Sequence, residues 1–229
     1  MSVIQTGILV SQKLIMWIGI ISVIKGIPIL LFQLIAKWDA TEINFHQGNQ
    51  VVKEVNYGVF LFSVLTMLLT DRMWQINCIF FIRLLLVLLL GIVNGCFLFA
   101  MVMDLKVQKV YHFVWWIAGG AAWVIWYIES REHILWLVFF WILQQRLFTR
   151  FYGKADGHAF SICAILRVAL GGTMEDIWCH MIVAFGLLAL VQLYKRNVDA
   201  KGKLKKPVPF IPYIWLTFWF YPGWFLSIG

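Results

Sequence analysis

Two aspartates stand where apolar segments meet short basic segments, and they are the residues best suited to chemistry. Asp104 follows the apolar run Leu84–Met103, and Asp156 precedes the apolar run Ala159–Leu170. A carboxylate at the end of a membrane helix is costly to place and is usually kept for a function. Two carboxyl groups within hydrogen-bonding distance do not both ionise readily, so one of them keeps a proton near neutral pH.

Such a carboxyl pair can hydrolyse a peptide bond. The ionised partner takes a proton from water, and the protonated partner donates to the carbonyl oxygen and then to the leaving nitrogen. We expect no cofactor and no metal, because the 4 cysteines form no Cys-x-x-Cys pair and no other ligand cluster stands out. The alternative is that both aspartates are solvated helix-end residues, with Asp156 capping a helix that starts at Gly157.

The composition indicates a membrane protein. Of the 229 residues, 62% are hydrophobic and 13% are charged, whereas a soluble domain is about half apolar and a quarter charged. Several apolar runs are about 17–25 residues long, which is enough to cross a bilayer as a helix. We therefore predict an all-α integral membrane protein with about eight transmembrane helices. The net charge of +8 is interpreted as membrane topology and contact with lipid headgroups, not as nucleic-acid binding.

The apolar runs define the predicted helices. The first, Gly7–Ala36, contains Pro28 and is interpreted as one tilted or kinked helix. The polar stretch Lys37–Tyr57 is predicted to be a loop, and Gly58–Thr70 a helix that ends there or continues to Phe81. The remaining predicted helices are Leu84–Met103, Val110–Ile128, Ile134–Leu143, Gly157–Leu170, Ile177–Tyr194 and a last span from Pro207 to Ile228.

The connections between these helices alternate in charge. The basic ones are Asp104–Lys109, Arg146–Lys154 and Lys195–Lys206, and the acidic ones are Glu129–His133 and Gly171–Asp176. Connections rich in lysine and arginine favour the cytoplasmic side of a membrane. Because Asp104 and Asp156 each border a basic connection, we expect both carboxylates at the cytoplasmic boundary of a multi-pass protein in the cell membrane.

Three segments carry a family resemblance. They are Phe151-Tyr-Gly-Lys-Ala-Asp156, Asp104-Leu-Lys-Val-Gln-Lys-Val110 and Lys206-Pro-Val-Pro-Phe-Ile-Pro-Tyr213. The first resembles the Gly-x-Gly-Asp signature of the type IV prepilin peptidase and preflagellin peptidase family of membrane aspartyl proteases. The second resembles the segment around that family's other aspartate, and the third resembles the entry to its last helix. All three occur in the family's order.

The resemblance implies a catalytic pair, Asp104 and Asp156, and a signature loop formed by Gly153, Lys154 and Ala155. It also implies a peptidase core of about six helices over residues 84–229, preceded by a helix pair with a short cytoplasmic loop in residues 1–83. The implied activity removes the leader peptide of a prepilin-like substrate at the cytoplasmic membrane boundary.

Two departures from the family pattern refine this expectation. Ala155 stands where the signature has its second glycine, and alanine is costly only if that backbone needs a positive φ or a very close approach. The loop Lys37–Tyr57 is short and has no cysteine, unlike the loop of members that also methylate the new N-terminus, so we predict a peptidase without methyl transfer. The alternatives are a proton- or ion-coupled transporter, and an inactive family member acting as a pilus or secretion assembly subunit.

Overall fold

The regular structure of the chain is entirely helical in the residues that the structure describes. The structure is a computed structural model, and it describes residues 3–38, 48–73, 80–198 and 209–220. These ranges form a short 3-10 turn, Phe148–Arg150, and the helices α1 (Val3–Trp38), α2 (Gly48–Met73), α3 (Phe80–Lys106), α4 (His112–Glu129), α5 (Ile134–Arg146), α6 (Lys154–Ala169), α7 (Met174–Val198) and α8 (Ile211–Phe220). The predicted all-α fold class is confirmed for this part of the chain.

Three of the described helices are long and apolar enough to cross a membrane. They are the segment Val10–Lys37 of α1, the whole of α3, and the segment Met174–Tyr194 of α7. Shorter apolar helices occur at Val55–Leu68 and Ile211–Phe220. A membrane protein is therefore supported by helix length and composition, whereas the larger number of about eight spans stays a prediction.

Hydropathy located the helices but not all of their ends. Helix α1 is a single helix of 36 residues with Pro28 inside it, as predicted. Helix α2 begins at Gly48, so the second half of the predicted loop Lys37–Tyr57 is helical, while residues 39–47 lie outside the described ranges. Val55, in that half, is buried, as are Val59 and Phe62 further along α2. An apolar run marks the part of a helix that is shielded from water, and polar residues extend the same helix beyond it.

The chain divides into two compact units. The first contains Met1–Val102 together with Trp116–Ala121. In this unit the backbone of α3 lies close to α1: a Cβ on Gly95 would lie 2.8 Å from Cβ of Ile27. The buried amide of Asn94 also donates to the hydroxyl of Thr66 on α2 at 2.9 Å, which satisfies a polar group that would be costly to bury alone.

The second unit contains both predicted catalytic aspartates. It comprises Met103–Trp115 and Ala122–Gly229, and therefore includes the last turn of α3 as well as α5 to α8. Helix α6 is its centre, because every residue from Ala159 to Ala169 is buried and the helix contacts α5, α7 and α8. A helix buried on all sides has a fixed position, so the first turn of α6 is held firmly. The predicted division between residues 83 and 84 stays a prediction.

Candidate functional site

Asp104 lies in the last turn of α3 and contacts the beginning of α8. Its Oδ2 accepts the backbone N–H of Ile211 at 3.1 Å. The backbone of Phe210 also stabilises the ionised carboxylate, to a smaller extent. Helix α3 ends two residues later, and Gln108 then takes the left-handed conformation with φ 57°. The first N–H groups of a helix have no partner within it, so a carboxylate from a distant segment satisfies the N-terminus of α8.

Asp156 lies in the first turn of α6. The helix starts at Lys154, two residues before the aspartate, so Asp156 is inside the helix and not the residue that precedes it. Its Oδ2 accepts the backbone N–H of Gly153 at 3.1 Å. Gly153 has φ −65°, which any residue adopts, but a Cβ there would lie 3.2 Å from Asp156 Oδ2. A side chain at this position would therefore crowd the carboxylate of Asp156, whereas the backbone conformation itself places no demand on glycine.

The remaining residues of the signature loop take ordinary helical positions. Lys154 is the first residue of α6 and is exposed to solvent. Ala155 is the second residue of the helix, and it is not among the residues with positive φ. Alanine has the highest helix propensity of all residues. The replacement of the signature's second glycine by Ala155 is therefore compatible with this backbone.

The two carboxylates influence each other. Burial and, to a smaller extent, the negative charge of Asp104 raise the pKa of Asp156 to about 7, against the opposing effect of the hydrogen bond from Gly153. The structure thus brings Asp104 and Asp156 into the same unit and close enough for one charge to act on the other. A carboxyl group with this pKa exchanges its proton near neutral pH, and the two groups titrate as a pair.

An aromatic cluster, which the sequence did not indicate, connects the segment before α6 with the segment before α8, whose first residue donates to Asp104. Tyr152, just before the signature loop, packs against Phe210 at 6.2 Å between ring centroids and against Phe160 at 5.7 Å. Its hydroxyl donates to Oε1 of buried Gln144. Burial raises the pKa of Tyr152, and the charge of Asp156 adds to this effect. The only sequence signal that could have indicated this contact is that Tyr152 and Phe210 lie directly beside the signature loop and the last helix.

Two histidines and a tryptophan form a second group beside α6. The rings of His112 and His158 are 5.7 Å apart in an edge-to-face arrangement, and Trp115 stacks on His158 at 6.5 Å. Within the described residues, no group of three or more histidine, cysteine, aspartate or glutamate side chains is placed to hold a metal ion.

No protein-family model, curated protein or solved structure matches the chain. The similarity to prepilin peptidases is carried by the three sequence segments alone. The geometry of Asp104 and Asp156 is a separate observation, because it follows from the last turn of α3 and from α6 and α8 within the second unit.

Proposed function

We propose that this protein is a membrane aspartyl endopeptidase that removes the leader peptide of prepilin-like proteins, with Asp104 and Asp156 as its catalytic pair. One observation carries the proposal. Two carboxyl groups from distant segments act on each other at the ends of buried helices, and the pKa of Asp156 is about 7. The three sequence segments that resemble prepilin peptidases contain both aspartates and the residues that hold them.

The arrangement supplies each element that peptide hydrolysis requires. One carboxylate takes a proton from the attacking water, and the other, still protonated, donates to the carbonyl oxygen. The proton taken from water is then passed to the leaving nitrogen, and the hydroxyl of the intermediate gives the other proton back as the C–N bond breaks. The pair thus returns to its starting state with one shared proton. The partly buried setting strengthens the electrostatic interaction between the two groups.

The position of the site suits a substrate that is itself anchored in the membrane. Asp104 lies in the last turn of α3, whose 27 residues are apolar enough to cross a bilayer. The scissile bond of a protein with a short leader followed by an apolar helix would lie at the same depth. The charge pattern of the connections places this boundary on the cytoplasmic side. The short loop without cysteine supports leader cleavage without methyl transfer.

A proton-coupled transporter is the second candidate, and one observation favours it. A carboxyl group with a pKa of about 7 is also suited to bind and release a proton during transport. Transport needs only the proton affinity of Asp156, whereas hydrolysis needs both carboxyl groups at once. Cleavage of a substrate that is lost in both Asp104→Asn and Asp156→Asn therefore supports the peptidase and not the transporter.

The test is co-expression with a tagged substrate that has a basic leader followed by an apolar helix. Wild type should shorten the substrate, and Asp104→Asn and Asp156→Asn should each leave it intact while accumulating in the membrane at normal levels. Asp176→Asn is the matched control, because Asp176 also lies in a first helical turn and accepts a backbone N–H, that of Thr173 at 2.7 Å. Cleavage by either variant of the pair would refute the proposal, as would failure of wild type to cleave substrates of this design.

A further inference from the structure

The two aspartates differ in what holds them. Asp156 accepts the N–H of Gly153, the residue just before its own helix. Asp104 accepts the N–H of Ile211, which begins a different helix 107 residues further along the chain, and Phe210 adds to this interaction. The hydrogen bond of Asp104 therefore depends on where α8 is placed, and that of Asp156 does not.

We propose that the N-terminus of α8 assigns the roles within the pair: it keeps Asp104 ionised as the general base and leaves Asp156 protonated as the general acid. This assignment rests on the proposed peptidase function and deepens it. In the reaction, Asp104 takes a proton from water while water oxygen bonds to the carbonyl carbon. Asp156 gives its proton to the carbonyl oxygen. As the C–N bond breaks, the proton on Asp104 passes to the nitrogen and Asp156 recovers its own.

Burial disfavours the ionised form of Asp104, and the donors on α8 oppose that effect. A carboxylate only accepts hydrogen bonds, and bonds from backbone N–H groups stabilise its charge. The positive end of the helix dipole adds to this preference. Pro212, the second residue of α8, has no N–H, so Ile211 is the first-turn donor on which the interaction depends. Asp156 also lies at a helix N-terminus, but its pKa of about 7 shows that burial and the charge of Asp104 outweigh that effect.

Packing holds the donors of α8 in place before any substrate binds. Ile211, Ile214, Trp215 and Phe218 are each completely buried, so the first turn of α8 cannot turn away without exposing apolar surface. Phe210 in addition packs against Tyr152 beside the signature loop. Dipoles that are already oriented stabilise charge without reorganisation during the reaction.

The experiment compares Ile211→Pro with Ile211→Ala in the full-length protein reconstituted in vesicles. Proline at the first helical position fits the helix and removes the N–H together with the buried isoleucine side chain. The alanine variant loses the same side chain but keeps the N–H, so the difference between the two variants reports the N–H. A charge-assisted hydrogen bond changes an equilibrium by about 10- to 100-fold. Ile211→Pro should therefore lower kcat about 10- to 100-fold. It should also shift the acidic limb of the cleavage pH profile to higher pH, by about one to two pH units. In Ile211→Ala the acidic limb should stay at the wild-type pH.

The outcomes separate this assignment from the function on which it rests. An unchanged acidic limb in folded Ile211→Pro would overturn the assignment of roles while leaving the peptidase intact. Activity in either Asp→Asn variant would overturn the function itself. If Ile211→Pro does not fold, infrared spectra at about pH 6 show which aspartate carries the proton. The C=O band of a protonated carboxyl group should disappear in Asp156→Asn, and its disappearance in Asp104→Asn alone would refute the assignment.

Discussion

Replacing Asp156 by asparagine should make the folded protein more stable at neutral and alkaline pH. Burial and the charge of Asp104 raise the pKa of Asp156 from 3.8 to about 7 in the folded state. The folded protein therefore binds this proton more tightly than the unfolded chain does. Its contribution to stability is fully present below about pH 4, decreases as the pH rises through this interval, and is lost above about pH 7.

The size of the effect follows from the two pKa values. The interval from 3.8 to about 7 corresponds to roughly 4 kcal/mol, and partial access of water to the carboxyl group reduces this to about 2–4 kcal/mol. Asparagine keeps an oxygen that accepts the N–H of Gly153 but never ionises. At pH 8 the variant should therefore melt roughly 4–16 °C above wild type, and below about pH 4 the two should melt together.

The assay is thermal unfolding in detergent from pH 4 to pH 8, followed by circular dichroism. Asp176→Asn serves as the control, because Asp176 accepts the N–H of Thr173 in the first turn of α7 and its loss should only weaken that helix, by about 0.3–1 kcal/mol. If Asp156→Asn melts at or below the wild-type temperature at pH 8, Asp156 is not held protonated by its surroundings. Asp104 and Asp156 would then lack the shared proton on which the proposed catalysis depends.

Three further substitutions test the site. Gly153→Ala places a Cβ 3.2 Å from Asp156 Oδ2 and should reduce cleavage about tenfold or more by displacing the carboxylate; a wild-type rate would show that the close approach is unimportant. Ala155→Gly should lower stability by up to about 1 kcal/mol without raising the rate, since the position is helical, and a faster enzyme would contradict this. Tyr152→Phe should cost about 1–3 kcal/mol in chemical denaturation, because buried Gln144 loses its donor; equal stability would refute that role.

Helix positions were largely predictable because hydrophobicity and length are local properties. The run Val110–Ile128 corresponds closely to α4, and the run Ile134–Leu143 to α5 (Ile134–Arg146). The start of α2 at Gly48 was missed, because hydropathy does not distinguish a polar helical turn from a polar loop. The resemblance identified Ala155 as the position where the signature has a glycine. The backbone there is helical, so alanine fits it.

The candidate site was predictable only in part. Charge alternation placed Asp104 and Asp156 on one side of the predicted membrane, and the structure brings them within electrostatic influence of each other. The bond from Ile211 to Asp104 joins residues 107 positions apart, and no periodicity contains that information. The contact between Tyr152 and Phe210 is equally remote in sequence, since both residues appear as ordinary aromatics near helix ends.

The most direct test of the central claim is a double-mutant comparison of leader-cleavage rates in vesicles. Residues that act as one catalytic unit are strongly non-additive. Asp104→Asn and Asp156→Asn should each lower the rate by at least about 10³-fold, and the double variant should be no slower than either. Losses that multiply in the double variant, or substantial cleavage by either single variant, would show that the two aspartates do not work as a catalytic pair.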